Sequence, residues 1–249
     1  MRGRWPLLAV LLTVLVVVAT ACTVSKPEVL PRPPDTGPAP VYVAVGASET
    51  VGVGSDQPLR DAWPRVLHRN ALPPGSVFVN MGIPGATVAQ ALAQEVAEAL
   101  AARPNLVTVW LNVNDMTRGV TPAEYERQLD SLVRQLRGDG STRILVANTP
   151  PLDQLPAYQA GRLLDGVPAP EAVQEFVADY NAAIARVVQR NGALLVDLHA
   201  VGMAARAAGT EASLVSTDGF HPSTAGHAEV AEAFAEVLRA SGPLSVPTG

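Results

Sequence analysis

A single cysteine, a single lysine and a deficit of positive charge mark this chain, which sets 18 basic against 23 acidic residues for a net charge of −5. One cysteine excludes an internal disulfide. The lone lysine is Lys26, so no lysine follows any glycine and a mononucleotide P-loop, G-x-x-x-x-G-K-[ST], is excluded. With Arg2 and Arg4 set aside, 16 basic residues face all 23 acidic ones, which argues against a nucleic-acid partner. The longest apolar run, Leu7 to Ala19, is broken only by Thr13 and is too short to span a bilayer comfortably.

That run reads instead as an export signal. Arg2 and Arg4 precede it, and Ala19-Thr20-Ala21 follows as a small-residue cleavage site. Cys22 stands next, where a bacterial lipoprotein signal places the cysteine that is lipidated after cleavage. The segment resembles a lipobox, with Ala19 where leucine is usual. The expectation for 1–22 is therefore a signal peptide and a membrane lipid anchor on Cys22, the alternative being plain secretion. Residues 23–40 contain six prolines and few large apolar groups, an extended spacer. The expected folded domain is 41–241, with a flexible tail at 242–249.

The 249 residues, 48% of them hydrophobic, suffice for one good core. From residue 41 onward, short β-branched runs alternate with longer alanine-rich stretches of helical period, which predicts a parallel sheet covered by helices on both faces. The strands are expected at 41–45, 76–80, 106–111, 143–147 and 193–197, and the helices at about 57–70, 86–102, 121–137, 171–191 and 223–240. Five strands suit an α/β, flavodoxin-like three-layer sandwich. Thr121-Pro122 with Glu124 opens one helix and Gly138 closes it; Asn191-Gly192 closes the next. The long connection 149–170 exceeds a simple turn. Its Leu152, Leu155, Tyr158, Leu163 and Leu164 read equally as an acyl-binding lid or as the buried side of a short helix.

In such a sheet the segments after the strands gather along one edge. Here they supply Gly46-Ala47-Ser48-Glu49-Thr50, Asn80-Met81-Gly82-Ile83-Pro84-Gly85, Asn112-Val113-Asn114-Asp115 and, before the last helix, Asp218-Gly219-Phe220-His221. A serine, a carboxamide, a carboxylate and an imidazole are the parts of an acyl-transfer site. Two other motifs fail: Gly52-Val53-Gly54 lacks the third glycine of a dinucleotide loop, and Thr50 replaces the second glycine of G-x-S-x-G.

Gly46-Ala47-Ser48, Gly82 within NMGIPGAT, Asn114 within NVND, and Asp218 with His221 in DGFHPS together resemble the four sequence blocks of the SGNH, or GDSL-like, hydrolase family, in order across about residues 41–240. The resemblance implies a flavodoxin-like α/β/α fold. It makes Ser48 the nucleophile, His221 the general base and acid, and Asp218 the group that orients His221. The oxyanion donors are then the backbone N–H groups of Ser48 and Gly82 and the side-chain amide of Asn114. It implies no metal and no organic cofactor. The partner is an ester substrate: an acetylated sugar, a lysophospholipid, a thioester or a small aliphatic ester. The alternatives are an O-acyltransferase using the same site and a catalytically silent surface binding protein.

Two positions depart from the family pattern, Ala47 for its aspartate and Asn112 for its first glycine. Asp115 reads as structural, as do Asp197 and His199, because a pair of ligands does not make a metal site. His68 and His227 read as surface or packing residues on helices.

Overall fold

The computed structural model describes residues 39–161 and 170–244. The chain divides into units at Thr36/Gly37. The expected signal segment, Cys22, nearly all of the spacer, Leu163, Leu164 and most of the C-terminal tail lie outside the described residues.

The elements are, in chain order, β1 (Val41–Gly46), α1 (Ser48–Val51), α2 (Pro58–Asp61), α3 (Trp63–Ala71), β2 (Val77–Asn80), α4 (Val88–Gln94), α5 (Val96–Ala101), β3 (Leu106–Trp110), α6 (Val113–Thr117), α7 (Pro122–Arg137), β4 (Arg143–Ala147), α8 (Pro156–Gln159), α9 (Pro170–Asn191), β5 (Leu194–Val196), α10 (Leu198–Ala207), α11 (Glu211–Leu214) and α12 (Thr224–Ala240). The five strands pair in parallel in the order β2-β1-β3-β4-β5.

Side chains alternate across the sheet, so each strand feeds two cores. Val43, Val45, Val107, Val109, Ile144 and Val146 face α4, α5, α7 and α9, where Leu129, Leu132, Leu136, Tyr180 and Ile184 are buried. Tyr42, Ala44, Leu106, Leu145 and Val196 face the other way, onto Trp63 and Leu67 of α3 and Phe234 and Leu238 of α12. Trp63 stacks on Phe234 with ring centroids 4.3 Å apart. Burial on both faces explains why the strands read as continuous apolar runs.

The caps follow the sequence signals: the Thr121 side chain accepts from the Glu124 N–H, Pro122 occupies the first turn, and Gly138 ends α7 at φ 55°. The differences from the sequence reading are breaks and additions. The stretch 57–70 splits at Ala62, whose extended backbone (ψ 134°) ends α2 and places Pro64 in the first turn of α3, where its missing N–H costs no helical bond. The stretch 86–102 splits at Glu95, whose side chain turns inward. Three short helices, α1, α6 and α11, and the ten-residue α10 were not expected, whereas α8 is a short helix of the kind that one reading of 149–170 allowed. The strand expected to run to 197 ends at Val196: Asp197 caps α10, accepting from Ala200 N, and His199 lies in its first turn. His227, on α12, is fully buried and so is a packing residue.

Leu129, fully buried between sheet and helices, is expected to cost about 2–5 kcal/mol when replaced by alanine. Leu59→Ala, at a side chain 88% exposed, should stay within about 0.5 kcal/mol. Urea melts of the two variants check the contrast.

Candidate active site

In the order β2-β1-β3, the chain leaves β1 in one direction to reach β2 and returns on the other side to form β3. Ligands in open parallel sheets bind outside the C-terminal ends of the strands at this reversal. Ser48 follows β1 and Asn114 follows β3, one on each side of it.

Ser48 stands two residues beyond Gly46, where the turn is tight. A Cβ on Gly46 would stand 2.0 Å from Thr50 Oγ1 and 3.0 Å from the Trp110 carbonyl, so only glycine fits. Ser48 Oγ lies 2.9 Å from Nε2 of His221, and His221 Nδ1 lies 2.6 Å from Asp218 Oδ2. The serine and histidine are 173 positions apart in sequence. The other Asp218 oxygen accepts from the N–H groups of Phe220 and His221 and from Ser216 Oγ, at 2.8, 3.0 and 2.8 Å. Partial burial pushes the Asp218 pKa up, but bonds from His221, Phe220 and Ser216 outweigh it and hold the carboxyl well below the usual range. It is therefore ionised throughout the working range, and with Nδ1–H held toward it, Nε2 is left to accept from Ser48.

The histidine loop is held from two sides. Ser223, two residues past His221, caps α12 by accepting from Gly226 N. The loop after the serine passes directly against it: a Cβ on Gly54, at φ +95°, would stand 2.3 Å from the Pro222 carbonyl and 2.8 Å from His221 Cβ. His227 joins these parts, its Nε2 3.0 Å from the Val53 carbonyl and its Nδ1 3.4 Å from the Trp63 N–H. A neutral ring protonated at Nε2 satisfies both contacts, and burial lowers its pKa accordingly.

The expected oxyanion donors lie in the loops beside Ser48, with existing obligations. Asn114 Nδ2 uses one proton on the Ala86 carbonyl at 3.0 Å and keeps a second. The Gly82 N–H donates to Asn80 Oδ1 at 3.0 Å, while Asn80 Nδ2 donates to the Thr50 carbonyl at 2.8 Å. Asn80 thus ties the second loop to the first. Asp115 is structural: fully buried, both its oxygens accept from the Val88 N–H at 3.1 Å, and burial pushes its pKa to about 6.

Ala47, where the family pattern has an acid, is buried in the apolar core. The carboxylate that meets this turn comes from elsewhere: Glu95, 1% exposed at the break between α4 and α5, accepts from the Gly46 N–H at 3.0 Å. Burial raises its pKa to about 7. Asn112, the second departure, accepts from the Val113 N–H at 2.8 Å and starts α6.

Glu49, Asn80 and Glu95 were not identified as site residues from the sequence. Glu49 is 8% exposed and its Oε2 lies 3.4 Å from Ser48 Oγ. An acid directly after Ser48 was visible in the sequence; its burial was not. Glu49 also lies on the wall of a cavity of about 110 Å³, otherwise lined mainly by apolar side chains including Trp110, Val113, Leu152, Leu155 and Phe220. The lining residues flank the site residues: Glu49 adjoins Ser48, Val113 adjoins Asn114, and Phe220 and Pro222 bracket His221. Leu152 and Leu155, read as lid or buried helix side, are buried and form part of this wall. Among the described residues no group of three or more His, Cys, Asp or Glu side chains could hold a metal ion.

The model of the GDSL-like lipase/acylhydrolase family matches residues 44–229. Esterase TesA of Pseudomonas aeruginosa is 30% identical over 122 residues, 48% of this chain and 60% of that enzyme's length. Among solved structures, a lipase/acylhydrolase from Enterococcus faecalis superposes with a TM-score of 0.66 at 18% identity, covering 84% of this chain and all of its own. A phospholipase A1 from Streptomyces albidoflavus gives 0.62 at 19%, covering 82% and 100%. These structural likenesses show the fold.

Glu95 generates a pH prediction. Below its ordinary pKa of 4.5 the carboxyl is protonated in folded and unfolded chain alike; between there and about 7 only the unfolded chain ionises, so its contribution to stability falls as pH rises. Glu95→Gln, which keeps the neutral form, should gain on the wild type by up to about 3 kcal/mol between pH 5 and pH 8 in paired melts. A stability difference that does not change with pH would contradict the assignment.

Proposed function

Because this chain belongs to the GDSL-like lipase/acylhydrolase family, we propose that it is a serine esterase that works through a covalent acyl-enzyme on Ser48. The observation that carries this reading is the Ser48–His221–Asp218 relay, with bonds of 2.9 and 2.6 Å between residues brought together from opposite ends of the domain.

The Ser48 hydroxyl is a weak nucleophile until its proton is taken, and His221 Nε2 is placed to take it as Oγ attacks an ester carbonyl. The imidazolium so formed faces the ionised Asp218, which stabilises it without accepting the proton. The carbonyl oxygen gains charge among the Ser48 N–H, the second Asn114 Nδ2 proton and the Gly82 N–H, the last serving as a donor shared with Asn80 Oδ1. Each donor of this kind contributes on the order of 3 kcal/mol to the transition state. His221 then protonates the leaving alcohol, activates a water and returns to its first state as the acid leaves. The apolar cavity beside Ser48 takes the acyl group. At roughly 10–15 Å³ per water-sized group, its volume suits an aliphatic chain of short to medium length.

Export and lipidation at Cys22 belong to the same reading. Their support is the basic pair, the apolar run and the placement of the only cysteine directly after Ala19-Thr20-Ala21. Such an enzyme would work outside the cytoplasm, tethered by a proline-rich spacer. The mass of the mature N-terminus tests this: a diacylglyceryl adduct on Cys22 is expected, and an unmodified cysteine removes the anchor.

An aryl-ester chain-length series tests the activity. Wild type should cleave short and medium chains and be labelled by serine-directed phosphonates, while Ser48→Ala should lose on the order of 10⁴-fold or more in kcat. Asp218→Asn should fall by about 10⁴-fold, since a neutral partner no longer holds the required tautomer. Full activity in Ser48→Ala would remove the site assignment.

A further inference from the structure

One polar group beside Ser48 has no part in the mechanism above. Glu49 is almost wholly buried, adjoins Ser48 and lines the apolar cavity. A second carboxyl on the cavity wall, Glu211, is neutralised by Arg206, with contacts of 2.8 and 2.9 Å. Glu49 has no such cation among the described residues. Its side-chain contact is Ser48 Oγ at 3.4 Å, long for an O–H···O bond. The serine carries one proton, and His221 Nε2, at 2.9 Å, is the nearer acceptor. Burial raises the Glu49 pKa, offset in part by its own backbone N–H and by His221. A carboxyl with unspent hydrogen-bonding capacity on an apolar wall is costly unless whatever enters the cavity satisfies it.

We infer that Glu49 is a specificity-determining residue, and that the cavity takes an acyl group bearing a hydrogen-bond donor, a hydroxyl or an ammonium, on the second or third carbon. This rests on the esterase reading. In the acyl-enzyme the carbonyl carbon is bonded to Ser48 Oγ, so a carboxyl oxygen 3.4 Å from that atom is within reach of a substituent two or three bonds farther along the chain. A plain alkyl chain places methylenes against the carboxyl and leaves it unsatisfied. A donor in that position replaces the missing partner, and Glu211, already paired, does not compete for it.

The test uses aryl esters of butanoic, 3-hydroxybutanoic and 3-aminobutanoic acid with the full-length enzyme, Glu49→Gln and Glu49→Leu. Wild type should favour at least one donor-bearing ester over butanoate by roughly 10- to 100-fold in kcat/KM. Preference for the hydroxyl alone or for the amine identifies which donor is read. Glu49→Leu should reverse the preference, with butanoate cleaved faster and the donor-bearing esters slower. Glu49→Gln, uncharged but still an acceptor, should keep a preference for the hydroxyl and lose any for the amine. Glu49→Met serves as a second apolar variant if the leucine protein does not fold. Cleavage of all three esters by wild type without preference, or a uniform change across them in the apolar variants, overturns the inference and leaves the esterase reading intact. Failure of wild type to cleave any of the three, with no phosphonate labelling, overturns both.

Discussion

The parallel pairing of β1 with β3 is the constraint on which the site depends. Val43 lies beside Val107 and Gly46 beside Trp110, so both strands end at one level and their following segments emerge side by side. Pairing with β2 on the other edge of β1 brings the Asn80–Gly82 segment to the same level. Nothing in the three loops themselves would assemble a serine, a glycine turn and a carboxamide; the register of the sheet does so. Two buried layers hold that register, because a slip of one residue would turn every core-facing valine toward the wrong layer.

The loops are then braced by polar side chains that bond to their backbone. Glu95 on Gly46 and Asp115 on Val88 do so with buried side chains, and the exposed Asn80 links the Thr50 carbonyl to the Gly82 N–H. Satisfying backbone groups in this way limits the alternatives open to a turn. The exchange of an acid for Ala47 sits within this frame. The turn it belongs to is held by a carboxyl arriving from a neighbouring helix.

The strands were legible because double burial leaves little but valine, leucine and alanine, and the ends of α7 were legible because Thr121, Pro122 and Gly138 are local signals. The residues that meet around Ser48 were legible as four separate blocks, and the sheet explains why blocks so far apart come together. What was not legible depends on partners distant in sequence. Nothing local ends a helix at Glu95; its side chain is recruited by Gly46, 49 positions away. The alanine-rich α10 was missed because Asp197-x-His199 reads equally as a strand end. Gly202 within α10 looks like a helix breaker but serves close packing, since a Cβ there would stand 2.4 Å from the Pro151 ring. Glu49 was in plain view beside Ser48, yet its burial follows only from the packing of segments 150–155 and 214–222 around it.

The position of His221 near the C-terminal end has a consequence for the growing chain. Ser48 follows the first strand and His221 lies on the loop that leads into the last helix, so a chain that stops short of residue 218 holds the serine without the imidazole and carboxylate that face it. The Ser48–His221–Asp218 contacts are thus among the last the growing chain can make, 173 positions separating the serine from the imidazole.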